Sequence, residues 1–509
     1  MSENNQNNNT QSQSKILKNT SYLTVAFILQ KILSFIYFIY LARYLGPLDL
    51  GLYDPVKSLI PIFLILIDFS LSVVLVREIA RKPENTEKYL STVLSIKFIT
   101  AFVMILAMGL YTNFSNFSSL IKIILYLDAI IVALDTFTIT FFAVFRGLQN
   151  MKYESMGIIG TQVLTIIFGV TSMLLGWGLQ TLFIAVLIGS VFNFIFSFAM
   201  LKRKLKIKIS FRWDKELMKR FLKIALPFAL AAIFVKIYTY TDRFMLLYIA
   251  GQRYVGWYVT AHKLTYALEF IPSAFAVSIF PAMSAYFVYS KDKLANTFEK
   301  AMHYLMILSI PVSIGIFVLA ERIVLSLYGE AFEASIFPLR ILIVGLIVVF
   351  LNFPVGAFLN ACNKQVVNTK NMAITVVINV ILNVLLIKYF TFNGAAFAAM
   401  ISGFVLFFLG LRHVSKVIHY NKKYLFQTLV KTILSGAVMA VILYFFSTNI
   451  DINLNLGSLS FMDNINSFLS LGIYILVGAF AYFVTLYLFK GITKDDLLFI
   501  YNKLLKRKV

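Results

Sequence analysis

The sequence predicts an all-α integral membrane protein of about fourteen transmembrane helices, built as two pseudo-symmetric six-helix bundles plus two appended helices. Three observations favour this fold class. Apolar residues make up 60% of the 509 residues and charged residues only 14%, whereas soluble domains have about 25% charged residues. Apolar stretches of about 20 residues, long enough to cross a bilayer, recur along the chain. The third observation is an internal repeat.

The apolar stretches place the predicted spans. They lie near 20–42, 55–76, 90–112, 119–145, 155–175, 179–201, 223–250, 254–280, 299–320, 338–360, 371–390, 393–411, 424–447 and 467–489. Of the 46 Lys and Arg residues, 33 fall in the connections on the same side as the N-terminus. Positive residues concentrate in cytoplasmic loops. We therefore expect a multi-pass protein of the cell membrane with both termini in the cytoplasm.

The internal repeat appears when the chain is shifted by 205 positions. The shift places Lys31 on Lys236, Gly46 on Gly251, Gly51 on Gly256 and Tyr53 on Tyr258. Such self-similarity indicates a duplicated bundle, and an even number of six spans per copy makes both copies enter the membrane from the same side. The predicted parts are a disordered cytoplasmic tail at 1–14, a first six-helix bundle at 15–201, a basic cytoplasmic linker at 202–222, a second bundle at 223–411, and two appended helices with a basic tail at 412–509.

The composition argues against several function classes. The net charge of +23 lies mostly in loops between spans, which is typical of membrane topology rather than of nucleic-acid binding. One cysteine and four scattered histidines give no metal-ligand spacing, so no metal and no other cofactor is predicted. No G-x4-G-K-[ST] loop is present, so we expect no ATP hydrolysis. Most connections on the outer face are too short for a folded catalytic domain, so we expect a protein that is not an enzyme.

Charged residues inside the apolar stretches indicate where a functional site lies. An ionised side chain at mid-bilayer costs roughly 2.5–3.5 kcal/mol, so a group of them predicts a polar cavity. Lys236, Tyr240 and Arg243 share one helix face at i, i+4 and i+7. A cation-rich cavity suits a phosphate or pyrophosphate, although the same residues could pair with one another and fasten the helices. The candidate substrate-binding residues are Lys31, Lys57, Lys236, Arg243, His262 and Lys263.

Acidic residues in the spans are candidate counter-ions or coupling sites. Asp128 and Asp135 are seven residues apart on one face of the fourth span. They could bind a coupling cation or proton, or pair with a lysine of a neighbouring helix. The full set is Asp68, Asp128, Asp135, Asp242 and Glu269. The remaining span-end cations are expected to extend toward the membrane interface. These are Lys97, Lys122, Arg340 and Lys388.

Four short motifs carry a family resemblance. They are Leu45-Gly46-Pro47 with Gly51 and Tyr53, Phe280-Pro281-Ala282-Met283-Ser284, Leu327-Tyr328-Gly329-Glu330-Ala331-Phe332, and Asn360-Ala361-Cys362-Asn363-Lys364. In order and spacing the chain resembles the polysaccharide-unit flippases of the multidrug/oligosaccharidyl-lipid/polysaccharide exporter superfamily. The resemblance implies two six-helix bundles whose first, second, seventh and eighth spans line a central cavity.

The resemblance also implies a function. A polyprenyl-phosphate-linked glycan is expected to pass from the inner to the outer leaflet by alternating access. From their position in the spans and their charge, Lys31, Lys236 and Arg243 are expected to hold the pyrophosphate. The implied partners are the lipid-linked glycan, the bilayer and enzymes that assemble or polymerise glycan.

Two alternatives stay open. The first is a multidrug exporter of the same superfamily, but organic cations would prefer an acidic aromatic pocket, and here the cations outnumber the acids. The second is a membrane glycosyltransferase or polymerase that uses a lipid-linked donor. Acidic residues would then be expected at the outer end of the first spans, where only Asp49 and Asp54 lie.

Overall fold

The computed structural model describes residues 2–115, 117–210, 213–449 and 460–492. All regular structure in these ranges is helical, which confirms the all-α class. The helices are α1 (Ser2–Asp68), α2 (Leu71–Arg81), α3 (Thr86–Phe114), α4 (Ser119–Gly147), α5 (Lys152–Leu174), α6 (Leu179–Lys204), α7 (Lys215–Ile249), α8 (Gln252–Leu268), α9 (Phe270–Tyr289), α10 (Lys291–Tyr328), α11 (Ile336–Ala361), α12 (Gln365–Val414), α13 (Lys422–Asn449) and α14 (Ser460–Leu488). Short 3₁₀ turns precede α3 and α11.

Eleven helical stretches among the described residues are long and apolar enough to cross a membrane. Two of them, in α1 and α12, each contain one non-helical residue, Gly46 and Thr391, between two predicted spans. Helix α4 has the length of a span but carries four charged residues and is not among the eleven. The protein is therefore a multi-pass membrane protein, and the number fourteen stays a prediction.

Helix α1 begins at Ser2, where the sequence predicts a disordered tail over 1–14. A helix that has already formed extends at the gain of one hydrogen bond for each residue added, so the apolar span that follows can support a polar extension. Toward its other end, α1 stops at Asp68, because Phe69 and Ser70 adopt positive φ angles of 46° and 56° before α2 begins.

The chain forms two compact units. The first comprises Met1–Leu45 and Leu52–Tyr240, and the second comprises Gly46–Gly51 and Thr241–Val509. In the first unit, α2, α3, α4 and the start of α7 share an apolar core. In the second, the core joins α10, α11 and α12 to the start of α13. Burial of these apolar faces against one another, rather than against lipid, fixes each bundle.

Within the second unit, residues 46–51 and 251–256 make a reciprocal backbone contact that reflects the internal repeat. A Cβ atom on Gly51 would lie 1.7 Å from the carbonyl oxygen of Gln252, and one on Gly256 would lie 1.9 Å from the carbonyl oxygen of Pro47. The shift of 205 positions maps Gly51 onto Gly256 and Pro47 onto Gln252. The two contacts are thus one contact made from each copy, which supports the internal duplication.

The first glycine of the G-x4-G pattern in each copy is required for a different reason from the second. Gly46 has φ 66° and ψ 179°, and Gly251 has φ 105° and ψ 172°. A Cβ at either position would meet no atom within 4 Å. The requirement for glycine is therefore conformational, because L-residues with side chains rarely adopt such angles. In each G-x4-G pattern, the first glycine allows a backbone turn with positive φ, and the second allows another backbone segment to approach closely.

Candidate functional site

The second unit contains a buried polar cluster around Asp242 of α7. The Tyr258 hydroxyl donates to its Oδ2 at 2.9 Å, and the Asn383 amide donates to its Oδ1 at 2.6 Å. The same Asn383 Nδ2 lies 3.1 Å from Oδ1 of Asn379. These residues are at most 5% exposed. A carboxylate taken out of water requires such donors, and here two other helices, α8 and α12, supply them.

This cluster has the chemistry of a small hard-cation site. Carboxylate and amide oxygens are the ligands that such cations prefer, and the Asn383 Oδ1 atom accepts no hydrogen bond. No group of three or more His, Cys, Asp or Glu side chains that could hold a metal occurs in the part of the chain that the structure describes. Asn379 and Asn383 are not among the site residues predicted from the sequence. Two asparagines at i and i+4 in an apolar helix are a signal that could have found them.

Arg243 and His262 meet beside this cluster. The Arg243 Nη2 atom lies 3.3 Å from Nδ1 of His262, and Arg243 is 8% exposed. A guanidinium has no acceptor, so the imidazole nitrogen must accept and His262 is neutral. Its ring stacks on Tyr266 with centroids 6.1 Å apart. His262 therefore orients Arg243 in this geometry, whereas the sequence predicts it as a substrate-binding residue.

In the first unit, half-buried Lys57 interacts with two buried side chains, Tyr53 and Asp128. The Lys57 ammonium donates to the Tyr53 hydroxyl at 3.0 Å and lies 5.2 Å from the centre of its ring. Tyr53 is 2% exposed and Asp128 is fully buried. Neither carboxylate oxygen of Asp128 has a hydrogen-bond partner, and Lys57 is the cation that acts on it electrostatically. Asp135 instead accepts a hydrogen bond from Ser190 of α6.

The other candidate cations are less enclosed. Lys31 is exposed on α1, and Lys236 is half-buried on α7 with its ammonium 5.7 Å from the centre of the Tyr240 ring. Both belong to the first unit, whereas Lys263 and Glu269, both half-buried at α8, belong to the second. Whether these residues line one shared cavity stays a prediction.

The expectation that Lys97 extends to the interface is wrong. Lys97 is fully buried and forms an ion pair with Asp68. Its ammonium also donates to the Ser72 hydroxyl and to the Thr136 carbonyl, each at 3.0 Å. Because α1 breaks immediately after Asp68, the carboxylate is presented to Lys97 on α3. Asp68 is thus the counter-ion of Lys97, a partner that the sequence analysis did not assign to it.

An apolar cleft of about 320 Å³ lies in the second unit among α10, α13 and α14. Its walls include Pro311, Gly315, Met439, Leu443 and Tyr482. The Tyr482 hydroxyl donates to the Ile307 carbonyl at 3.1 Å. With its one polar group satisfied in this way, the cleft suits an acyl or prenyl chain rather than a polar ligand.

The helices, the buried charges within them and the apolar cleft define a polytopic helical membrane protein built like a transporter. Residues 16–287, more than half of the chain, match the family model described as Polysaccharide biosynthesis protein. The chain belongs to this family, which confirms the resemblance seen in the motifs.

Two curated relatives align over most of the chain. The probable low-salt glycan biosynthesis flippase Agl15 of Haloferax volcanii is 25% identical over 422 residues, which cover 83% of this chain and 88% of that protein. The capsular polysaccharide biosynthesis protein CapF of Staphylococcus aureus is 26% identical over 408 residues, covering 77% and 97%.

Solved structures with the same fold belong to two kinds of transporter. The lipid II flippase MurJ in an inward closed conformation matches with a TM-score of 0.71 at 18% identity, covering 94% of this chain and 99% of that one. An inward-facing multidrug resistance transporter of the MATE family matches with a TM-score of 0.65 at 17% identity, covering 78% and 98%. These likenesses establish the fold, which flippases and drug exporters share.

Proposed function

We propose that the protein is a flippase that moves a polyprenyl-(pyro)phosphate-linked oligosaccharide or polysaccharide repeat unit across the cell membrane by alternating access. The observation that carries the proposal is Arg243, an arginine that is only 8% exposed within the membrane-spanning part of α7. Burial of a guanidinium in a membrane helix is costly and is usually retained for function. Alignment of 83% of the chain with a glycan biosynthesis flippase supports the same reading.

The candidate cations are proposed to bind the phosphate groups of the substrate. Lys31, Lys57 and Lys236 act in the first unit, and Arg243 and Lys263 act in the second. A guanidinium fork binds phosphate oxygens in a bidentate manner, and the His262 nitrogen fixes the orientation of the Arg243 fork. His262 is thus proposed as a positioning residue, because a neutral imidazole adds no positive charge.

Buried carboxylates are proposed to bind the ions whose gradients drive transport. Asp242 with its asparagine oxygens is proposed to take a coupling cation, and Asp128 is proposed to take a proton, because a buried carboxylate without donors is stable only when neutral or paired. Asp135 and Glu269 are weaker candidates for binding a coupling cation or a proton.

Both termini are proposed to be cytoplasmic, and enzymes that assemble or polymerise glycan are the proposed partners. The protein is proposed to move its substrate without altering it chemically.

The experiment compares two double variants in liposomes that contain a defined lipid-linked saccharide. Lys236→Ala/Arg243→Ala should retain folding and lose transfer to the outer leaflet by at least tenfold. Lys370→Ala/Lys388→Ala removes the same charge from exposed positions and should transfer at the wild-type rate. Transfer by the first variant at the wild-type rate would refute the assignment of these cations.

The MATE likeness keeps the drug exporter as a second candidate. A strain that lacks the gene should then become sensitive to organic cations while its surface glycan stays normal. Loss of surface glycan with unchanged drug sensitivity is the outcome expected for the flippase. Sugar transfer by the purified protein would instead indicate the glycosyltransferase or polymerase.

A further inference from the structure

Three arginines of the first unit converge on one buried carboxylate. Glu78 of α2 has a side chain that is 4% exposed, and Arg220 of α7 donates from Nη2 to its Oε2 atom at 3.0 Å. The Arg77 Nε and Arg81 Nη1 atoms lie 3.6 Å and 3.5 Å from Oε1 of the same carboxylate. These four residues, referred to as the arginine cluster, carry two more positive than negative charges.

Most N–H groups of the three guanidiniums are not hydrogen-bonded to Glu78, because only Arg220 donates a hydrogen bond to its carboxylate and the Oε1 atom accepts none. Each guanidinium has about five N–H groups, whereas one carboxylate offers roughly four acceptor positions. The side chains of Arg77, Arg81 and Arg220 are 43%, 59% and 57% exposed. Their outer N–H groups therefore face the surroundings of the protein, and an anion there would meet several donors at once.

The surface of α2 shows at which depth the cluster lies. Val73, Arg77 and Arg81 follow one another at i, i+4 and i+8 on one exposed face, and Val73 is 52% exposed. The face changes from apolar to basic within one helical turn, as expected where the hydrocarbon meets the headgroups. The distribution of Lys and Arg predicts this end to be cytoplasmic, and the cytoplasmic leaflet carries the anionic lipids.

We propose that the arginine cluster binds the phosphate group of an anionic glycerophospholipid in the cytoplasmic leaflet. Guanidinium groups match phosphate oxygens in a bidentate geometry, which ammonium groups do not. A basic residue near an anionic surface strengthens binding by about fivefold, so two net charges give about 25-fold. A preference of this size is enough to select a lipid that makes up a large share of the leaflet. It is not enough to capture a soluble phosphate that is scarce.

The test measures binding of short-chain phosphatidylglycerol and phosphatidylcholine to the purified full-length protein. Wild type should favour phosphatidylglycerol by more than about 25-fold, because the guanidinium forks add to the contribution of the net charge. Arg77→Lys/Arg81→Lys/Arg220→Lys keeps the charge but removes the forks, and it should bind phosphatidylglycerol at least fivefold more weakly. Lys202→Gln/Arg203→Gln/Lys204→Gln removes three exposed cations at the end of α6 and should change binding less than twofold.

Two results would overturn the proposal. Wild-type binding by the triple-lysine variant, or an equal loss in the α6 variant, would mean that only diffuse charge attracts the lipid. Displacement of phosphatidylglycerol by a tenfold lower concentration of farnesyl diphosphate would mean that the cluster serves an isoprenoid pyrophosphate instead.

A second variant tests phosphate binding at the arginine cluster if the lysine variant does not fold. Glu78→Gln removes the carboxylate and leaves three guanidiniums to repel one another, so a lipid phosphate should take its place. Phosphatidylglycerol should raise the melting temperature of Glu78→Gln by several degrees more than it raises that of wild type. Equal increases for the two proteins would show that no phosphate occupies the cluster.

Discussion

Gly51 and Gly256 occupy equivalent positions in the two copies of the repeat, and each fits against a carbonyl group of the other copy. The two hypothetical Cβ atoms would lie 1.7 Å and 1.9 Å from backbone oxygens. Because these obstacles are backbone atoms rather than the ends of flexible side chains, no rotamer change can remove the overlap. The close approach of 46–51 to 251–256 within the second unit therefore depends on both glycines.

The substitutions Gly51→Ala and Gly256→Ala should each destabilise the protein. Overpacking of a close contact typically costs about 1–3 kcal/mol, and here the backbone itself has to shift. The expected result is a lower melting temperature and at least tenfold slower transfer of lipid-linked saccharide. One shift can relieve both overlaps, so the double variant should cost less than the sum of the single variants.

Gly109→Ala provides the matched control. Gly109 lies within α3, and a Cβ there would meet no atom within 4 Å. The helix should gain up to about 1 kcal/mol because alanine is the better helix former. An equal loss of stability in Gly109→Ala would contradict the explanation by close approach.

Replacement of Lys97 by methionine should be strongly destabilising. The substitution leaves the Asp68 carboxylate buried without its cation, and loss of one partner of a buried ion pair costs about 3–5 kcal/mol. Thermal unfolding of the purified protein would measure the change. Lys388→Met, at an exposed position, should alter stability by no more than about 0.5 kcal/mol.

A double variant separates the charge from the packing. Asp68→Asn/Lys97→Met removes both charges, so it should recover much of the stability lost in Lys97→Met. If the double variant is no more stable than the single one, the uncompensated carboxylate is not the cause of the loss.

Asp214 should contribute stability that depends on pH. Its carboxylate accepts a hydrogen bond from the Leu217 amide at 3.0 Å and pairs with Lys88 at 3.0 Å, and these contacts lower the pKa of Asp214 below its usual value of 3.8. A depressed folded-state pKa stabilises the protein above pH 3.8, and the contribution is lost as the pH falls through the lower folded value. Asp214→Asn should melt slightly below wild type at pH 7, and the difference should shrink as the pH falls below about 4 and vanish below the folded-state pKa.

The asparagine at this position also acts as the control for capping. Asn caps a helix N-terminus nearly as well as Asp, so the difference that depends on pH reports the charge alone. A constant difference from pH 3 to pH 7 would contradict the proposed role of the ion pair.

Cys362 should resist alkylation in the folded protein. The residue is 1% exposed and follows α11, and burial raises the pKa of its thiol to about 11. At pH 8 only about one thousandth of such a thiol is the reactive thiolate. Maleimide labelling of the wild type should therefore be at least a hundredfold slower than that of an added cysteine at exposed Lys202. Rapid labelling without unfolding would contradict this prediction.

The sequence indicated the fold and the repeat because both depend on features that act along one dimension. Span length follows the bilayer thickness, and the glycines of the G-x4-G pattern recur at a fixed shift. The candidate residues Asp242, Arg243 and Asp128 were found because ionised groups are rare in apolar stretches. The same rule could not tell which buried charges pair with one another, since it considers each helix alone.

The amino-acid sequence by itself determined that this is a helical membrane protein with a duplicated bundle, because hydrophobicity, span length and loop charge are properties of local segments. Only the tertiary structure decided that Lys97 is the partner of Asp68, that Asn383 bonds Asp242, and that Glu78 gathers arginines from two helices. These partners lie up to 142 residues apart in the chain. Helix packing and the break after Asp68 bring them within hydrogen-bond distance, and the high cost of an unpaired charge in a dry interior keeps them there.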